Sequence, residues 1–167
     1  VEGFVNNLYQ PTNYAYKYIR KKKEKYVEID YDNNKVVKVI NVPEFDSSKL
    51  SVVNDEMLIG TIDPSSFFLN VLDFNKTESC KNKFKIFDGK RRYDVVFNNL
   101  IKNKDKGTIE CEAAQIRLGG YKSDEKVKDV FAASDYIKVI YKDDKMKSFA
   151  GYEAKNGSIK IIINEAL

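Results

Sequence analysis

Apolar and polar positions alternate along most of this chain, and the alternation stops at recognisable turn residues. Tyr14, Tyr16 and Tyr18 share one parity, and Val27, Ile29 and Tyr31 form a second run after the basic stretch Arg20–Lys23. Asp32-Asn33-Asn34 is a turn cluster, beyond which Val37 and Val39 resume the pattern. A period of two over such short runs predicts consecutive antiparallel strands with one buried face. The opening residues to Pro11 carry no clear period. Pro43 closes the first block, and Ser47–Asn54 reads as polar loop.

The period changes once. Asp63-Pro64 is a helix start, because the Asp side chain can accept from free amides and Pro suits the first helical position. Phe67, Phe68, Val71, Leu72 and Phe74 then make an apolar stripe at helical spacing, read as a lid packed on a sheet. Alternation returns at Phe84–Phe87 and again at Tyr93–Phe97, on either side of Asp88-Gly89. Asp-Gly between alternating runs predicts a hairpin with a type I′ turn, whose two central residues take positive φ. Lys104–Gly107 turns the chain into Ile109, Cys111 and Ala113, and Gly119-Gly120 reads as a bulge or strand break. Lys122–Ala133 is open between helical turn and loop. Ile137, Val139 and Tyr141 alternate, Asp143-Asp144 turns, and Phe149–Ala154 leads through Asn156-Gly157 to Ile159, Ile161 and Ile163. The expected fold is mainly β: a curved antiparallel sheet or partly open β-barrel of about nine strands with one short helix packed on it. A single β-rich domain over residues 1–167 is expected.

Composition supports a soluble globular chain, with 43% apolar and 32% charged residues. Eleven Tyr and ten Phe suit half-buried pleated surfaces. A net charge of +4 from 29 basic and 25 acidic residues is too balanced to predict a nucleic-acid partner. No apolar run is long enough to span a bilayer. The chain opens at Val1 with neither Met nor an apolar leader, which reads as a processed or excised piece.

Histidine is absent, which removes the commonest general base and metal ligand together with every Ser-His or Cys-His nucleophile. Two cysteines without histidine make no ordinary zinc site, and no glycine-rich phosphate loop is present; no catalytic residue, metal or cofactor is expected. Asp63, Asp88, Asp94, Glu110 and Glu112 could pair in space as a glycosidase requires. Capping explains Asp63, the turn explains Asp88, and a strand's solvent face explains Glu110 and Glu112. Arg20–Lys23 beside the tyrosines fits an edge guarded against aggregation better than a surface for single strands. Lys90-Arg91-Arg92 is different, since three adjacent cations repel one another unless carboxylates or anions lie close. These three are the candidate ligand-binding residues, and alternation puts Lys90 and Arg92 on one face and Arg91 on the other. Asn75-Lys76-Thr77 matches a glycosylation sequon. Cys80 and Cys111 are either a bridge stapling a meander or two buried free thiols. A bridge would close a loop of about thirty residues, contributing roughly 3–4 kcal/mol. Meander geometry leaves first and third strands roughly 10 Å apart, too far for a bridge unless Cys80 folds back from the preceding loop or the strand order differs.

Several of these blocks together resemble a family. Gly60-Thr61-Ile62-Asp63-Pro64-Ser65, Cys80, Ile86-Phe87-Asp88-Gly89-Lys90-Arg91-Arg92-Tyr93-Asp94, Cys111 and Gly120-Tyr121-Lys122-Ser123-Asp124 look like the exported bacterial proteins called domain of unknown function 3108. Order and spacing match from about residue 25 to the C-terminus. The front departs, since family members carry further strands there, after a signal peptide. The resemblance implies a periplasmic or envelope location and, with it, a Cys80–Cys111 disulfide; it implies no reaction. The expected function is a non-catalytic envelope domain that holds an apolar, lipid-like ligand or a partner envelope protein in a concave sheet face. The alternative is a carboxylate-dependent glycan hydrolase.

Overall fold

The computed structural model of the protein describes residues 4–5, 8–20, 23–72, 82–105, 108–123, 136–142, 149–154 and 157–159. Expectations placed on Lys21, Lys22, Phe74, the Asn75 sequon, Cys80, Asp124–Ala133, Asp143-Asp144, Asn156, Ile161 and Ile163 lie outside the described residues. The fold is mainly β, and among the described residues the antiparallel sheets do not close into a barrel. The described strands are β1 (Phe4–Val5), β2 (Leu8–Tyr9), β3 (Asn13–Arg20), β4 (Lys23–Asp32), β5 (Lys35–Val42), β6 (Lys83–Phe87), β7 (Arg92–Asn103), β8 (Thr108–Gly119), β9 (Tyr136–Lys142), β10 (Phe149–Ala154) and β11 (Gly157–Ile159). They form a ribbon β1-β2, a sheet β3-β4-β5 and a sheet in the order β11-β10-β9-β8-β7-β6. Every connection among β6 to β11 joins neighbours, so this sheet is a meander.

The chain forms two compact units interleaved along the sequence. The first takes Val1–Val71, Phe84–Asp94 and Arg117–Val127; the second takes Leu72–Lys83, Val95–Ile116 and Lys128–Leu167. In the second unit β8 pairs with β9 from Thr108↔Lys142 to Ala114↔Tyr136, and β10 pairs with β11 from Tyr152↔Ile159 to Ala154↔Gly157. Cys111 and Ala113 are buried together on β8, as alternation requires.

In the first unit, β3-β4-β5 follows the expected hairpins. Asn33 and Asn34 both take positive φ, at 47° and 62°, while Asp32 pairs with Lys35 across them. That is the type I′ signature, and Asn accepts it at low cost. The sheet's outer face is polar: Asp30 accepts from Asn13 Nδ2 at 2.6 Å and pairs with Lys38 at 3.4 Å. Its inner face buries Val27, Ile29, Tyr31 and Val36 with Phe87, and Tyr14, Tyr16, Val53 and Leu58 pack against them.

Helix α1 (Pro64–Leu72) begins where the sequence places it. Asp63 Oδ1 accepts from the backbone N–H groups of Ser65 and Ser66 at 2.7 and 3.0 Å. Phe67 is buried and meets Phe84 of β6 edge-on, ring centroids 5.3 Å apart. Phe68 is only half-buried, and the side chain of Leu72 lies outside the described residues. Asn70 exchanges two hydrogen bonds with the backbone of Tyr9, at 2.7 and 2.9 Å, tying the short ribbon to the helix. Ile62 adds a parallel bridge to Ile86, donating to Lys85 O at 2.9 Å and accepting from Phe87 N at 3.0 Å.

The hairpin β6–β7 exists, but its turn differs from the expected type I′. The connection is Asp88–Arg91, and only Gly89 takes positive φ, at +88°. Asp88 Oδ1 accepts from the N–H groups of Lys90 and Arg91, at 3.0 and 2.6 Å, and Asp88 N donates to Arg91 O at 3.2 Å. The aspartate side chain thus organises a wider loop in place of a two-residue turn.

Candidate functional site

The tip of this hairpin closes one end of a cleft in the first unit. Register places Val39 opposite Ile29 and Asn41 opposite Val27, so both project from the sheet's inner face. Asn41 Nδ2 donates to Gly89 O at 3.0 Å and docks the loop on β5. Glycine is needed there twice over, because a Cβ at Gly89 would lie 2.5 Å from Val27 Cγ1 and φ is positive. The opposite wall is the segment following Pro43, where 3₁₀ turns at Ser47–Lys49 and Asp55–Leu58 bracket an extended stretch. Asp46 and Asn54 cap these turns, accepting from Ser48 N and Met57 N at 3.0 Å each. The Ser48 hydrogen bonds hold the Asp46 carboxyl below its usual pKa.

The stretch between the turns is held in turn by the two residues that follow β8. Ser51 N donates to Tyr121 O at 2.7 Å and Gly120 N donates to Ser51 O at 2.8 Å. Gly120 has φ +77°, and a Cβ on it would fall 2.0 Å from Lys90 O. Only glycine lets these two backbones meet. The resulting cleft has a volume of about 460 Å³ and an apolar lining that includes Val39, Phe45, Leu50, Val52, Leu58 and Phe87. Its polar groups are Asn41, Ser47, Ser51 and Lys90, and Lys90 is the only charged residue of the lining.

The three cations of the triplet part ways. Lys90 is half-buried at the cleft, its Nζ 5.4 Å from the centroid of the Phe45 ring. Arg91 is exposed, with its guanidinium 5.6 Å from the Tyr121 ring centroid; Arg117 approaches the same ring at 5.3 Å. Arg92 is buried: it pairs with Asp94 at 2.7 Å and donates to Met57 O at 2.7 Å and Tyr93 O at 2.6 Å. The expected pairing is therefore present for Arg92, whose i+2 neighbour Asp94 shares its face, while Lys90 and Arg91 have cation–π partners.

Three of the five carboxylates weighed as catalytic pairs hold structural bonds: Asp63 the helix start, Asp88 the hairpin loop and Asp94 the buried arginine. The Glu110 side chain lies outside the described residues. No group of three or more metal-ligating side chains occurs among the described residues. No described helix is long and apolar enough to cross a membrane. Cys111 is wholly buried and is not a free thiol. Tyr14, Tyr16 and Tyr18 line one face of β3, with Tyr16 and Tyr18 stacked at 5.8 Å and Lys25 lying 5.8 Å from the Tyr18 ring centroid. Burial, with the Asp63 carboxylate as a further cause, pushes the Tyr14 hydroxyl well above the ordinary phenol range.

Sequence reasoning located Lys90 but not the wall it faces. Phe45, Leu50, Val52 and Val53 stand in a stretch without period, and the one available signal was four large apolar residues in a loop otherwise polar. No protein-family model, curated protein or solved structure matches the chain.

Proposed function

We propose that the protein is a non-catalytic domain of the bacterial cell envelope that holds an apolar ligand in the cleft facing β5. The cleft itself carries this reading. Its volume lies in the range of small-molecule sites, and its lining is apolar with a few convergent polar groups. Phe45 and Val52 are 37% and 76% exposed, leaving apolar surface at its rim that a ligand would cover. The envelope location rests on the likeness of the Asp88–Asp94 block and its companions to exported bacterial proteins. A Cys80–Cys111 bridge belongs to the same proposal, supported by the absence of a free thiol at Cys111. The hydrolase alternative is disfavoured because Asp63, Asp88 and Asp94 are engaged in caps and an ion pair.

Native mass spectrometry of protein purified from its host tests the ligand. A co-purifying lipid-like mass that leaves on denaturation is expected, and a cleft that neither carries a ligand nor takes up an apolar dye would overturn the reading. Thiol labelling of the unfolded, unreduced chain tests the bridge: no reactive thiol is expected, and two would refute it.

A further inference from the structure

We infer that the cleft selects amphiphiles ending in a carboxylate, a fatty-acid-like monoanion, with Lys90 Nζ meeting the charge. The inference rests on the proposed function, and what it adds is the polarity and chemical class of the guest. Lys90 is the only charge in the lining among the described residues. No carboxylate forms an ion pair with its ammonium among the described residues. The acid nearest in sequence, Asp88, has Oδ1 engaged by two backbone N–H groups of its own loop. Phe45 instead offers the ammonium its ring face, which holds the cation beside another lining residue without neutralising it. A half-buried cation with no counter-ion among the described residues, beside an apolar cavity, is complementary to a guest with one negative end and an apolar body.

The donor set fixes the class further. One ammonium carries one charge, and the other polar residues of the lining are Ser47, Ser51, whose hydroxyl accepts from Tyr121 N, and Asn41, whose amide donates to Gly89 O. A phosphate dianion calls for more cationic donors or an arginine fork, and Arg91 stands over Tyr121 outside the lining. Val39, Leu50, Val52 and Leu58 suit an aliphatic chain.

The test titrates decanoate, decanol and decyl phosphate into the full chain and into Lys90→Gln. Affinity comes from calorimetry, and location from the methyl resonances of Val39, Leu50 and Val52. Lys90→Gln keeps the backbone bond to Asp88, and Lys49→Gln, at an exposed lysine outside the lining, serves as control. Decanoate should move those methyls and lose about tenfold or more in affinity in Lys90→Gln, a charge-assisted hydrogen bond being worth at least that. Decanol should bind both forms alike, and Lys49→Gln should change nothing. Equal decanoate binding by the full chain and Lys90→Gln would overturn the anion assignment while leaving the apolar cleft in place. Tighter binding of decyl phosphate would overturn the carboxylate class. If none of the three moved the methyls, the cleft would not be the site, and both readings would fall.

Discussion

Arg92 shows how much one side chain's surroundings decide. Three consecutive cations invite the expectation of a shared cluster, yet the loop Asp88–Arg91 sends each to a different place. Arg92, only 3% exposed, would be untenable alone, because a buried guanidinium without partners costs several kcal/mol. Asp94 and two backbone carbonyls satisfy it. Arg92→Leu leaves the Asp94 carboxylate in a buried site without its ion pair, so we expect a loss of about 3–5 kcal/mol. The double variant Arg92→Leu with Asp94→Leu should recover most of that, which urea midpoints of the three variants would measure. An unchanged midpoint for the single variant would refute the ion pair. The pair was legible in principle, since i and i+2 share a face of a strand. What the sequence could not show was that Arg92, and not Arg91, faces inward: Met57 O, its second anchor, comes from a segment without periodicity.

At the scale of elements, local chemistry decided the outcome wherever it was strong. Asp63-Pro64 started a helix because both residues suit that position, and Asn33-Asn34 made the tight turn because Asn tolerates positive φ. Asp88-Gly89 carried an equally strong turn signal, but Asp88 used its side chain to cap a longer loop while Gly89 fitted against Val27. Propensity could name the glycine but not the length of the turn. The ribbon β1-β2 escaped notice because two-residue strands have no period. Two variants follow at this scale. Asn34→Val forces a β-branched residue to φ near 62°, which should cost roughly 1–3 kcal/mol. Phe67→Ala should cost about 3–5 kcal/mol and Phe68→Ala clearly less, because Phe67 is buried against Phe84 and Phe68 is half-buried. Thermal unfolding of the pair checks the order, and a larger effect at Phe68 would contradict the packing of α1.

At the scale of the whole molecule, the sequence made the β-rich class plain and concealed the cleft, because alternation marks sheet faces and leaves unmarked the loops that wall them. Val39 belonged to the expected alternation; Asn41 and the Ser47–Leu58 wall did not, the wall being fixed by caps and by backbone bonds to Gly120 and Tyr121. The same inner face yields a pH dependence. Tyr31 is buried, its hydroxyl has no hydrogen-bond partner among the described residues, and burial raises its pKa well above the ordinary phenol value of about 10. Tyr14, beside it, is raised for the same first reason. A group whose folded pKa lies above its unfolded one contributes fully below the unfolded value and loses that contribution as pH rises. Stability should therefore hold up to about pH 10 and then fall, by at most about 1.4 kcal/mol per pH unit for Tyr31 and by less for the half-exposed Tyr14. Tyr31→Phe removes a buried hydroxyl that has no partner among the described residues, so at neutral pH it should be neutral or stabilising, by up to about 1 kcal/mol. Above pH 10 the variant should lose stability less steeply than the parent, since one raised phenol is gone. Urea midpoints of both chains on either side of pH 10 decide the matter. Parallel alkaline slopes would mean that the Tyr31 hydroxyl finds water or a partner and that the inner face is wetter than its packing implies.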